Sequence, residues 1–406
     1  MPDPPVRVAL FIHTLHLGGA EGQLSLLLRS LDRRRVQASL LAFHAEGHHA
    51  ETLAARGIPT RTVPLPSRLA HPATAATVLW LAAWCRRNRV EVLHAHDFYT
   101  NLVALPAARL SGAGCLVSRL DLSHWYGGLR RAALAAVSRA ADRVWVNAEA
   151  VRRLVVLEDH VAPARVTLIR NGIDLAGFDR SAGAPAPGAI DLSGPDIEPF
   201  VICVANMNHP VKGQEDLLAA MVEVAARAPR AHLLLVGDGP LRPDYERRAR
   251  ELGLGPRVRF AGRRPDVPAL LSRADVAVSA SHAEGLSNAV IEAMAARLPV
   301  VATAVGGNVE LLRDGVDGFL VPPHAPWALA DRILRLLDRP GLAREMGASG
   351  RRRVEEELPA RRMVASFEAL YERMARGRRA RRRSESAARS AGKESGPAVV
   401  AQPAPE

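Results

Sequence analysis

Cysteine is scarce. Cys85, Cys115 and Cys203 are the only three in 406 residues. They stand far apart and make no Cys-x-x-Cys pair or Cys/His cluster, which excludes a zinc ribbon and a disulfide framework. An odd, sparse set fits reduced thiols in a cytoplasmic setting. Aromatic residues amount to 4%, and none interrupts the basic run Arg376–Arg383 (RGRRARRR), so nucleic-acid bases would find no stacking platform there and no nucleic-acid partner is expected. The longest apolar stretch, near Ala73–Cys85, falls short of the about 20 residues that span a bilayer and reads as a buried helix face. The N-terminus has no basic segment leading into an apolar one, so no signal peptide is expected. Also missing are a Gly-x-Ser-x-Gly elbow, a P-loop and an Asp-x-Asp pair for a divalent cation. An anionic group handled here would have to be met by lysine, arginine and helix amides, and neither a metal nor another cofactor is expected.

What is present describes an ordinary globular protein: 48% hydrophobic and 24% charged residues, in a chain long enough for two domains with substantial cores. The formal net charge is +12. Part of it lies in the terminal basic run, which reads as a solvated end or as a patch for anionic lipid.

Apolar strand-like runs alternate with helical patterns of about 10–15 residues, the signature of βαβ units and a parallel sheet. Val6–Ile12 reads as the first strand and Gly19–Leu31 as a helix. Val90–His94, Gly114–Ser118 and Arg143–Asn147 read as further strands. The pattern pauses in the Pro/Gly/Ala-rich stretch Ser181–Pro199, then restarts with Phe200–Ala205, a helix over Gly213–Arg227, His232–Val236, a helix near Pro243–Leu252, Val258–Phe260 and Asp275–Ser279. The reading is therefore α/β: two Rossmann-like, doubly wound domains facing a central cleft. The first occupies 1–180, a linker 181–199 and the second 200–357. A C-terminal helix over 358–376 crosses back to the first domain, and a basic disordered tail fills 377–406.

The most informative segment is Ser281–Arg297, SHAEGLSNAVIEAMAAR. Glu284 precedes Glu292 by eight residues, two helical turns plus about 80°. The amides of Gly285, Leu286, Ser287 and Asn288 are expected to open the helix and to present free donors with partial positive charge, suited to phosphate. Two carboxylates for sugar hydroxyls beside amides for a diphosphate fit a nucleotide-sugar. The plainer alternative, an amphipathic helix with two solvated glutamates, is countered by the setting. A strand precedes the segment and Leu298–Thr303 follows, which puts it at the carboxyl edge of a parallel sheet, where ligands bind.

Other candidates lie at similar positions. Gly18 and Gly19 follow the first strand, either as a tight turn or as a phosphate-facing loop, although Gly-x-Gly-x-x-Gly is absent. His94 and His96 end another strand and point the same way. One can meet substrate and the other is structural, and no third ligand suggests a metal. Lys212 opens a helix, a placement the helix dipole disfavours and a diphosphate would favour. Gly237-Asp238-Gly239 reads as a turn, and Arg119 could meet an anion.

In this order the pieces LGGAEGQLSLL, VLHAHD, RNGID, PVKG, LLLVGDGPL, FAGRRPDVPALL, SHAEGLSNAVIEAMA and PVVATAVGGNVELLRDGVDGFLVPP resemble the retaining glycosyltransferases of the GT-B fold, family 4. The resemblance runs from about Val6 to Tyr371. It implies that Glu284 holds donor-sugar hydroxyls and Glu292 the ribose. Lys212, the amides of Gly285 to Asn288 and the Gly18–Gly19 loop hold the diphosphate. His96 contacts the transferred sugar, and backbone near Arg263 and Arg264 meets the base. The family's usual arginine before the lysine falls on Asn206, so Arg119 is a candidate substitute. The implied activity is transfer, with retention, from a nucleotide-diphosphate-sugar donor to a glycan or lipid-linked hydroxyl acceptor in cell-surface polysaccharide or glycolipid synthesis. The basic excess and the lack of a spanning segment point to a cytoplasmic location, against the inner face of a membrane. The alternatives are a nucleotide-sugar epimerase and an inactive nucleotide-sugar-binding protein.

Overall fold

The computed structural model describes residues 4–58, 60–64, 71–122, 126–184 and 199–394. Its first half is built on β1 (Val6–Ile12), β2 (Val36–Ala42), β3 (Thr60–Thr62), β4 (Val92–Ala95), β5 (Gly114–Arg119), β6 (Arg143–Val146) and β7 (Val166–Leu168). The second half uses β8 (Phe200–Val204), β9 (His232–Val236), β10 (Val258–Gly262), β11 (Val276–Ser279), β12 (Val300–Thr303) and β13 (Gly318–Val321). Every named strand pairs in parallel. Their residues are near-continuous apolar runs such as VRVALFI and HLLLV, as expected of strands covered on both faces by helices.

The orders are β3-β2-β1-β4-β5-β6-β7 and β10-β9-β8-β11-β12-β13. Each sheet reverses its direction of growth once, between β1 and β4 in one and between β8 and β11 in the other. Such a reversal leaves a crevice beyond the carboxyl ends of the two strands. The loops at the two crevices carry Gly18, Gly19 and His96 in the first half, and Lys212 and Glu284 in the second.

The chain returns to its first half at the end. Ile173 and Leu358 are joined by a 2.9 Å backbone hydrogen bond, and Ala360 donates to Ile173 at 3.0 Å. The helix Ala360–Glu394 then packs on β1, β4 and β5. It buries Phe367, Leu370 and Tyr371, each worth ~1.5–3 kcal/mol of apolar burial. Glu368 accepts from the Asp32 amide at 2.8 Å, and Arg379 pairs with Glu91 at 2.6 Å. Another tie between the halves is Arg351, on the helix Pro340–Glu357. It donates twice to Asp179, at 2.7 and 2.8 Å, and once to the Ala295 carbonyl.

One expectation changes. The terminal helix continues through 377–394, where the sequence suggested a disordered end. Alanine and arginine are strong helix formers, and the first part of the helix is anchored in the core, so nothing stops propagation. Within the linker and tail expected at 181–199 and 377–406, positions 185–198 and 395–406 lie outside the described residues. Among the described residues, no helix is long and apolar enough to cross a membrane.

Candidate active site

In the second half the β8 loop ends in a short turn, Pro210–Lys212, and Gly213 then starts the helix Gln214–Arg227. Gly213 holds φ +65°, and a Cβ there would lie 1.9 Å from the Ala280 carbonyl oxygen. Only glycine lets the β8 and β11 loops approach so closely. The approach brings Lys212 Nζ to 2.7 Å from Glu284 Oε1, and Ser281 Oγ donates to the same oxygen at 2.7 Å. Both side chains are largely covered, at 24% and 11% exposure.

The helix after Glu284 spans Asn288–Ala295, with Ser287 as its cap. It opens three residues later than the sequence suggested, because the Ser287 hydroxyl accepts from the Val290 amide and fixes the boundary there. The Ser287 side chain is thus engaged in capping, and the Leu286 side chain is buried in the core. These two residues can offer a ligand their amides only. Among the described residues, the amides of Gly285, Leu286, Ser287, Asn288 and Ala289 meet no acceptor. That makes a run of donors at a helix N-terminus.

Glu292 lies one turn into the helix. Burial pushes its carboxyl up to about 7, and among the described residues it has no hydrogen-bond partner. Arg263, after β10, is exposed, while Arg264 forks onto Asp266 at 2.6 and 2.7 Å.

The first half faces this loop across a narrow gap. Gly18 caps the helix Gly19–Ser30, and a Cβ on Gly19 would lie 2.6 Å from Asn288 Nδ2. Asn171 Nδ2 donates to Asn288 Oδ1 at 2.9 Å. Glu310 accepts from the Ala150 amide at 3.0 Å and from Arg170 at 3.2 Å. Gly285 sits against the carbonyl of Leu120 and the side chain of Asn147. The two carboxyl edges are therefore apposed.

Four buried polar atoms near strand ends on the first-half side lack partners among the described residues: His13 Nδ1, His96 Nε2, Asn147 Oδ1 and Asn171 Oδ1. Such atoms are costly unless a ligand or water completes them. Burial lowers the His96 imidazole to about 3, so it is neutral and can offer either a donor or an acceptor. Its neighbour His94 is structural: Nδ1 meets Tyr371 Oη at 2.8 Å and Nε2 meets Ser118 Oγ at 3.1 Å. Burial also raises the carboxyls of Asp97 and Glu21, and the charge of Arg263 acts against the second shift from across the gap.

Both halves of the chain match known proteins. A family model described as Glycosyltransferase Family 4 matches residues 17–176, and one described as Glycosyl transferases group 1 matches 198–339. The two halves of the chain are thus related, respectively, to glycosyltransferase family 4 and to glycosyl transferases group 1. It is 37% identical over 141 residues to the putative glycosyltransferase EpsD of Bacillus subtilis (strain 168), covering 35% of this chain and 37% of that one. It is 31% identical over 291 residues to a D-inositol 3-phosphate glycosyltransferase of Mycolicibacterium gilvum (strain PYR-GCK), covering 66% and 63%. The chain thus spans less than two thirds of the length of either relative. Among solved structures, Anabaena Alr3699/HepE in complex with UDP and glucose matches with TM-score 0.79 at 20% identity, over 90% of this chain and 99% of that one.

One candidate is displaced from the site. Arg119 points into the first-half core, where it pairs with Asp159 and donates to Ser138 Oγ at 3.3 Å. It ends β5, and residues alternate faces along a strand, so a one-position difference decides between cleft and core. Asn206 is exposed, and its carbonyl is taken by Gln214 Nε2 at 2.8 Å. His13, Asn147 and Asn171 were not picked out in the sequence. Each is among the first polar residues after a strand, which is the signal that would have found them.

Proposed function

We propose that this chain transfers a glycosyl group from a nucleotide-diphosphate-sugar to a hydroxyl of a glycan or lipid-linked acceptor, with retention of configuration. The observation that carries the proposal is the meeting, at the switch point of the second sheet, of Lys212, Glu284 and five unpaired amides, while His96, with its unpartnered nitrogen, stands at the switch point of the first. The bond from the anomeric carbon to the diphosphate oxygen breaks, and negative charge builds on the leaving group. Lys212 and the amides of Gly285 to Ala289 stabilise that charge. Glu284 accepts from sugar hydroxyls, and His96 holds the transferred sugar. The acceptor oxygen bonds to the anomeric carbon on the same face, and its proton passes to the departing phosphate. Apposition of the halves keeps water out and favours transfer over hydrolysis. The sugar and acceptor are donor-side and first-half matters respectively. UDP is the first nucleotide to test, because the Anabaena protein was solved with it.

Incubation of the full chain with UDP-, GDP- and other nucleotide-sugars should release nucleoside diphosphate only when a hydroxyl acceptor is present. Conversion of the donor sugar without acceptor would instead make the protein an epimerase. Thermal stabilisation by nucleotide without turnover, across a broad acceptor panel, would make it a binding protein. We further infer that the acceptor is met at an anionic membrane surface. Leu129, 87% exposed, lies beside Arg130 and Arg131 at the start of a first-half helix. Failure to sediment with anionic vesicles at low salt would remove that placement.

Glu292 supplies a pH dependence. Ribose hydroxyls donate, so they prefer the carboxylate, and donor affinity should rise with pH through about 7. Stability should move the other way. The native carboxyl keeps its proton above the ordinary 4.5, so stability falls as pH rises from about 4.5 to about 7 and is flat beyond. Glu292→Gln should flatten both profiles, as read by donor KM and by melting temperature against pH. A wild-type KM independent of pH across that window would contradict the ribose role.

A further inference from the structure

Beside the donor loop lies a second group of side chains with its own chemistry. Asp216 is in the first turn of the helix Gln214–Arg227, His282 is in the loop after β11, and His324 follows β13. Asp216 Oδ2 is 2.8 Å from His282 Nε2 and 3.8 Å from His324 Nδ1, and one ligand atom from each residue lies within 4.8 Å of the others. The two imidazole rings meet with centroids 3.8 Å apart. His324 reaches this position from a left-handed backbone, φ 58°, which a non-glycine residue seldom adopts.

We infer that Asp216, His282 and His324 form a binding site for a divalent transition-metal ion, with Zn²⁺ as its best-suited occupant. Zn–N and Zn–O bonds of about 2.0–2.2 Å place neighbouring ligand atoms of a tetrahedral centre roughly 3.4 Å apart. The observed 2.8 and 3.8 Å bracket that separation, so small side-chain adjustments suffice. Two imidazoles and one carboxylate favour Zn²⁺ over Mg²⁺, which prefers an all-oxygen octahedral shell. His324 is largely exposed, with 67% of its side chain accessible, so an ion has a route in and a water can complete the shell.

The ion would not take part in the chemistry of the cleft. It would join the first turn of one helix to two loops at the carboxyl edge of the second sheet. The His282 amide donates to the Val211 carbonyl at 2.7 Å, directly before Lys212. Glu284 lies two positions after His282. A metal clip here would hold the Lys212–Glu284 pair in register. The three ligands come from distant parts of the chain, which is why no sequence spacing advertises them. The inference rests on these side chains alone and stands apart from the transfer reaction.

Full-length protein, stripped with a chelator and then dialysed against Zn²⁺, should bind one more equivalent than Asp216→Asn or His324→Ala, measured by equilibrium dialysis and elemental analysis. Zn²⁺ should raise the melting temperature of the wild type and not of either variant, and Mg²⁺ should shift none of them. Hydrogen exchange of the 281–287 amides should slow in the wild type with Zn²⁺. The other histidines bind adventitiously if they bind at all, so their contribution is common to all three proteins. Equal Zn²⁺ content in the wild type and both variants, or none in the wild type, would overturn the site. Two variants are used so that a folding defect in one leaves the other to decide.

Discussion

Alanine at Lys212 should lower turnover by about a hundred- to a thousand-fold, the usual cost of removing one donor that stabilises charge developing on a reacting group. The reason is local. Leaving-group departure concentrates negative charge on the diphosphate, and Lys212 is the ammonium placed at this switch point, 2.7 Å from Glu284. With Lys212 gone, Glu284 keeps only the Ser281 hydroxyl, and its uncompensated charge would repel the donor phosphates. The loss should therefore appear in kcat and in affinity for the nucleoside diphosphate product. Glu284→Ala should also remove most turnover, by a different route, through lost sugar hydroxyl contacts. The folded state should survive both changes. The pair lies on loops at the edge of the second domain, outside its hydrophobic core, so a loss of stability should fall short of unfolding it. Because the two side chains touch, the double variant should lose less than the product of the single losses. Near-normal rates in both single variants, measured at saturating donor, would refute the assigned roles.

The parts of this molecule legible in its sequence are those decided locally. A run such as HLLLV must be buried on both faces, so His232–Val236 is found with its bounds intact. The helix over 214–227 follows from its periodicity. Strands β2, β3 and β7 were harder to see. Val36–Ala42 carries glutamine and serine among its apolar residues, and Thr60–Thr62 and Val166–Leu168 are only three residues each. At the site, proximity to a strand's carboxyl end nominates His94 and His96 together, Lys212 and Glu284, while the choice of His96 over His94 comes from the family resemblance. Facing was not readable. Arg119 and Asn147 both lie at strand ends, yet the first turns into the core and the second lies against Gly285. The contact between Lys212 and Glu284 is equally silent in the sequence, since it depends on Gly213 letting two loops touch.

Gly285→Ala should cost about a hundred-fold or more in kcat, although it removes no functional group. A Cβ at this position would stand 1.9 Å from the Leu120 carbonyl oxygen and 3.2 Å from Asn147 Oδ1. Both atoms belong to the first half, and the nearer is backbone, which cannot rotate away. On the other side, the Gly285 carbonyl accepts from the Gly307 amide at 2.7 Å, so the loop cannot retreat freely. The least costly relief is for the two halves to part by an ångström or more. A displacement of that size between a nucleophile and its target can cost about 10²-fold. The donor half keeps Lys212, Glu284 and Glu292, so nucleotide affinity should fall far less than kcat. Hydrolysis of the donor should rise relative to transfer, because water enters the widened gap. Gly341→Ala is the control: a Cβ there meets nothing within 4 Å, in a helix that alanine favours, and its kinetics should match the wild type. Gly285→Ala with unchanged kcat would mean that productive turnover does not require the halves to meet at Leu120, and that His96 acts on the donor sugar from a more open arrangement.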